Sequence, residues 1–138
     1  HKLRQPILFC GDTLFAGGCG RLLGGTAEQL LSSLKTLSTL PANTQIYCTH
    51  EYTLANLAFA EAVEPSNLQL KARVDNESVK RDSGKPTLPS SIELELETNP
   101  FLRCAQIEIA ATINQHWNQS WQREQELFTG LRLWKDSF

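Results

Sequence analysis

Apolar residues fall in two kinds of run along this chain. Pro6-Ile7-Leu8-Phe9-Cys10 and Gln45-Ile46-Tyr47-Cys48 are short, nearly continuous blocks, the first closed by Gly11 and the second by Thr49-His50. That pattern predicts two strands buried on both faces. Between them Leu30, Leu31, Leu34 and Leu37 recur at helical spacing behind Thr26 and Gln29, which stand as a capping box does. The helix is expected to end near Leu40, ahead of Pro41. Residues 11–25 carry Gly11, Gly17, Gly18, Gly20, Gly24 and Gly25 and read as a loop. Residues 6–50 thus read strand, glycine loop, helix, strand: a βαβ unit with parallel strands.

From Tyr52 onward the pattern is helical. Leu54, Leu57, Ala58 and Val63 predict one helix stopped by Pro65, and residues 66–83 a second, polar one anchored by Leu70 and Val74 and stopped by Gly84. Residues 92–97 fit either a short helix capped by Ser90 or Ser91, or a strand, because Ile92, Leu94 and Leu96 alternate. Asn99-Pro100 breaks that segment, and helices are expected over 104–117 and 120–134. Trp117, Trp121 and Trp134 are expected to pack the helical part together, with His116 structural or exposed.

Composition narrows the class. The chain has 138 residues, 41% hydrophobic and 20% charged, with a net charge of −2. These values fit a globular domain and leave no basic field for nucleic acid or an anionic membrane. No apolar run approaches the roughly 20 residues of a membrane span. Cys10, Cys19, Cys48 and Cys104 lack the spacing of a zinc knuckle, and reduced thiols are expected. Residues 1–20 carry no signal-peptide pattern, so a cytoplasmic setting is expected. The chain starts at His1 and has no Met, so either its N-terminus was removed or it is expected to be part of a longer protein.

In a parallel sheet, ligands gather at the carboxyl ends of the strands. Asp12 and His50 each follow a strand there, and together they fit half of a metal site or an acid/base pair. Either also fits a plainer role, Asp12 as a turn residue and His50 as a structural histidine. The stretch Gly17-Gly18-Cys19-Gly20-Arg21 is neither a P-loop nor a dinucleotide fingerprint. It allows a ligand close to backbone, with Arg21 at its edge, and equally fits a surface loop. Arg132 and Lys135 share a helical face and either bind an anion or solvate the helix.

Taken in order, Gly11-Asp12-Thr13-Leu14-Phe15, Gly18-Cys19-Gly20-Arg21, Gly25-Thr26-Ala27 and Thr49-His50-Glu51-Tyr52-Thr53 resemble glyoxalase II, the hydroxyacylglutathione hydrolases of the metallo-β-lactamase superfamily. Asn99-Pro100-Phe101-Leu102-Arg103 and Arg132-Leu133-Trp134-Lys135-Asp136 resemble its helical C-terminal domain. The implied fold is α/β, the C-terminal part of a metallo-β-lactamase αββα fold over residues 1–51, followed by a mostly α-helical domain over 52–138. The implied activity is metal-dependent hydrolysis of S-D-lactoylglutathione to glutathione and D-lactate, a step of methylglyoxal detoxification. By that resemblance Asp12 bridges two divalent metals (zinc, with iron or manganese as alternatives) and His50 is a ligand of the second. Arg21, Tyr52, Arg132 and Lys135 are implied to hold the glutathione part of the substrate.

The family's T-H-x-H-x-D-H signature is absent, and His1, His50 and His116 are the only histidines. His1 stands closer to Asp12 than the resemblance implies for the family's intermediate histidine, so it is not assigned as a ligand. The expected partner is therefore the N-terminal half of the same fold, whose absence should leave apolar sheet surface uncovered and the chain inactive alone. Two rivals accompany this reading. One is another hydrolase of that fold or a persulfide dioxygenase-like relative, against which the Arg132/Lys135 pair argues. The other is a non-catalytic module that binds glutathione conjugates.

Overall fold

The computed structural model describes residues 4–22 and 24–138; His1 lies outside them. Strand β1 (Ile7–Gly11) pairs in parallel with β4 (Gln45–Cys48), joined through helix α1 (Ala27–Ser38). This is the expected βαβ unit. The Thr26 hydroxyl accepts from Gln29 N–H at 3.1 Å while Gln29 Oε1 accepts from Thr26 N–H at 3.0 Å, so the capping box forms.

Three features depart from the sequence reading. The glycine stretch holds a small antiparallel hairpin, β2 (Leu14–Phe15) with β3 (Gly18–Cys19). Gly17 makes its reversal at φ +77. A polar strand, β5 (Ser90–Ser91), pairs antiparallel with β4, giving the order β1-β4-β5. The first strand is also not buried on both faces: Ile7 is 56% and Phe9 78% exposed. Among the described residues no element lies over that side of β1, so its apolar run has a covered face and an open one.

The rest is helical: α2 (Thr53–Val63), α3 (Leu68–Asp82), α4 (Ile92–Thr98), a 3₁₀ turn at Pro100–Leu102, α5 (Ile107–Trp117) and α6 (Glu124–Ser137). The choice between helix and strand at 92–97 is decided by Ser91, whose hydroxyl accepts from Leu94 N–H at 3.1 Å. The last two helices begin later than expected, and α6 runs on past Trp134.

One core serves both parts of the chain. Leu14, Leu34 and Ile46 pack with Phe59, Phe101, Ile109, Ile113, Phe128 and Leu131, and the three tryptophans close its edge. Gly130 lets α6 approach Trp121, since a Cβ there would sit 2.5 Å from the indole. Trp117 Nε1 donates to the Gly130 carbonyl at 2.9 Å. His116 is exposed, stacked on Trp134 at 4.1 Å between centroids. The chain is mixed α/β and mostly helical.

Candidate functional site

The carboxyl ends of β1 and β4 deliver Asp12 and His50 to the same edge of the sheet, as parallel pairing requires. Their arrangement is set locally. A bulge opposite Cys48 shifts the register after Phe9, and Gly11, at φ +54, turns the chain outward into Asp12. Thr49 then ties the two strand ends: its hydroxyl donates to the Gly11 carbonyl at 3.2 Å and hydrogen-bonds the Asp12 carboxylate. His50 Nε2 stands 3.6 Å from Asp12 Oδ1.

An aromatic wall adjoins this pair. His50 stacks on Tyr52 at 4.8 Å between centroids, and Phe15 from the hairpin lies 5.4 Å from Tyr52 and 6.1 Å from His50. Glu51, between them in sequence, points elsewhere and accepts from the backbone and hydroxyl of Thr87. The wall borders a hollow of about 610 Å³ that Asp12, His50, Tyr52, Arg21, Lys135 and Asn56 also line. Five of the six site residues expected from sequence therefore meet around one space. Phe15 and Asn56 also line it, and Thr49 bonds the Asp12 carboxylate, none of the three having been anticipated.

Arg132 does not line that space. It is 2% exposed, and its guanidinium donates to the carbonyls of Cys19 at 2.8 Å and Gly20 at 3.2 Å and pairs with Asp136 at 2.9 Å. It also lies over the Phe101 ring. Arg132 thus fixes the turn that presents Arg21 rather than reaching into the hollow itself. Gly20 is required there for a steric reason: a Cβ would sit 1.9 Å from the Asp12 carbonyl oxygen.

The charges suit an anion. Among the described residues neither Arg21 nor Lys135 has a carboxylate within ion-pair distance. Burial lowers the Lys135 pKa from 10.5, with Arg132 and Arg21 adding repulsion. A folded pKa below the unfolded one means that the unfolded chain binds the proton more readily. Stability should therefore rise with pH through the window just below 10.5, and the penalty is fully present at neutral pH. Lys135→Gln is expected to raise the thermal midpoint at pH 7, and this gain should shrink as pH climbs through that window. Melts across the range check it; a gain of the same size at every pH counts against it.

A family model described as the hydroxyacylglutathione hydrolase C-terminus matches residues 51–138. The chain belongs to that family. It is 51% identical across its whole length to a hydroxyacylglutathione hydrolase of Pseudomonas paraeruginosa, of which it covers 54%. It is 53% identical to another from Shewanella oneidensis, over 99% of this chain and 52% of that relative. The chain spans about half the length of the curated relatives it matches. Tyr52, Arg132 and Lys135 fall inside the segment matched by the hydroxyacylglutathione hydrolase C-terminus, and Asp12, Arg21 and His50 precede it.

Whether this family member can hold a metal turns on its donor count. Asp12 and His50 are donors that a divalent metal accepts, but a catalytic zinc site uses at least three protein ligands. Among the described residues no three His, Cys, Asp or Glu side chains gather closely enough to bind one. Cys10 and Cys48 stand on the strands that lead to the site, yet burial pushes the Cys10 thiol up to about 11 and raises Cys48 also. Neither is a ready thiolate. These residues do not make a complete metal site by themselves.

Proposed function

We propose that this chain is the glutathione-gripping half of a hydroxyacylglutathione hydrolase, a thioester hydrolase that converts S-D-lactoylglutathione to glutathione and D-lactate. The observation that carries the reading is the convergence of Arg21 and Lys135, far apart in sequence, on one hollow with Tyr52, Asp12 and His50. Two cations without carboxylate partners among the described residues suit a carboxylate of the tripeptide, and the phenol and its aromatic neighbours suit the apolar stem of the thioester. In this reading Asp12 and His50 are two of the ligands of a divalent metal pair, zinc first and iron or manganese otherwise. The remaining ligands come from outside this chain. Such metals, when bound, polarise a carbonyl oxygen and lower the pKa of water.

The same reading makes β1, α1 and β4 the C-terminal portion of a metallo-β-lactamase αββα domain over residues 1–51. Residues 52–138 form the helical domain. The missing half would cover the open side of β1, where Ile7 and Phe9 are exposed. Four free cysteines suit a reducing cytoplasm, and no described helix is long and apolar enough to cross a membrane.

The test is a fusion of this chain to the N-terminal half of the Pseudomonas paraeruginosa relative, loaded with zinc and assayed on S-D-lactoylglutathione. Turnover is expected, with Asp12→Ala reducing it below detection. Retained turnover in that variant would sink the assignment of Asp12. A second reading, a binding module for glutathione conjugates, is favoured by Asp12 and His50 gathering no third metal donor among the described residues. Glutathione-conjugate binding by a zinc-loaded fusion that turns nothing over would select it.

A further inference from the structure

We infer that Glu95 and Asn99 are positioning residues for the hollow, acting through the β2–β3 hairpin from the helical side of the molecule. Both are completely buried and neither lines the hollow. Asn99 Nδ2 donates to the carbonyls of Gly18 at 3.0 Å and Phe15 at 3.4 Å, and to Glu95 Oε1 at 3.0 Å. Glu95 Oε1 also accepts from Gly17 N–H at 2.8 Å. Three backbone groups of the reversal between Phe15 and Gly18 are thus held by two side chains about one helical turn apart.

That grip matters because the hairpin cannot hold itself. Strands of two residues make too few ladder bonds to be stable alone, yet both ends of this hairpin lead into the site. Phe15 contributes the ring beside Tyr52 and His50. Cys19 leads through Gly20 to Arg21, where Arg132 takes over the carbonyls. Glu95 is itself immobilised from the opposite side: Oε2 pairs with Arg73 Nη2 at 2.7 Å and accepts from the Ser90 hydroxyl. Arg73 in turn donates to Thr98 at 2.7 Å and Ser90 at 3.2 Å. In a buried network of this kind each bond fixes the geometry of the next. The helical part of the chain therefore sets where Phe15 and Arg21 stand.

The inference rests on reading the hollow as the glutathione site, and its test separates the two. Asn99→Asp keeps the oxygen that accepts from Phe101 N–H at 3.0 Å but turns the donor toward Phe15, Gly18 and Glu95 into an acceptor. Amide hydrogen exchange is followed in the 138-residue chain, with glutathione affinity measured alongside by calorimetry. Exchange at Gly17 and Gly20 is expected to quicken about tenfold while α5 and α6 keep their rates, and affinity is expected to fall by about the same factor. Exchange and affinity equal to the parent's overturn the inference, as does an acceleration spread evenly over the chain.

If Asn99→Asp does not fold, the double variant Arg73→Met/Glu95→Leu decides. It is charge-neutral and leaves Gly17 N–H without its side-chain acceptor. A tenfold rise at Gly17 in the folded double variant, with α5 and α6 at their parental rates, supports the inference, and parental exchange at Gly17 overturns it. Absence of glutathione binding by the parent chain overturns the reading of the hollow, whereas the exchange result still judges the role of Glu95 and Asn99.

Discussion

Gly20→Ala is expected to lower stability by about 3 kcal/mol, the upper end of the usual cost of overpacking. For a chain of this length that corresponds to a fall of roughly 10 °C in thermal midpoint. The size follows from what the new methyl would meet. A Cβ at residue 20 would sit 1.9 Å from the Asp12 carbonyl oxygen, and that obstacle is backbone. A flexible side chain swings aside at little cost, whereas this carbonyl belongs to the turn that presents the Asp12 carboxylate. Gly20 N–H also donates to the Thr13 carbonyl at 3.0 Å, so the two segments cannot part without losing a bond. Relief therefore has to come from displacing Asp12 or Arg21, and glutathione affinity should fall with stability. Gly24→Ala is the control, since its added carbon meets nothing within 4 Å and should change stability by less than about 0.5 kcal/mol. Equal midpoints for the two variants would contradict this account of the crossing.

The contrast between those glycines shows where sequence reading succeeds and where it stops. The βαβ unit was legible because its signals are local: apolar blocks for the strands, Thr26 and Gln29 for the start of α1, and Pro41 beyond its end. Parallel pairing then placed Asp12 and His50 at one edge without further information. The β2–β3 hairpin was not legible, because glycines give no alternation and its shape is imposed by Glu95 and Asn99 from far along the chain. Strand β5 is two serines, and only the partner strand gives them a ladder. Residues 66–83 look like a solvated helix, yet Arg73 and Glu77 are buried because their partners come from other turns and elements. Arg132 illustrates the same limit within the site. Spacing put it on one helical face with Lys135, but only the fold shows its guanidinium spent on the Cys19 and Gly20 carbonyls. Thr49 had one available signal: parallel pairing sets the residue after β4 beside the turn after β1.

Glu95→Gln should be the more damaging of the substitutions in the buried network, at about 3–5 kcal/mol, because it leaves a buried guanidinium without its counter-charge. Arg73 and Glu95 have side chains only 2% and 0% exposed, at 2.7 Å. Water cannot reach the cation to compensate, and the Arg73 bonds to Thr98 and Ser90 hold it in place. The shape of the variant side chain is nearly unchanged, so lost packing contributes little and the cost is electrostatic. Arg73→Met/Glu95→Gln removes both charges and should recover most of that loss, since a buried ion pair gains little over a neutral pair of similar volume. Denaturant unfolding of the parent, the two single variants and the double variant completes the cycle. A double variant no more stable than Glu95→Gln alone would show that packing, not the unpaired charge, sets the cost. Recovery would leave the charge pair as a means of fixing geometry: it locks the Glu95 carboxylate in the orientation from which Oε1 meets Gly17 N–H. The neutral pair should approach the parent in stability and still be judged separately on how firmly it holds the hairpin.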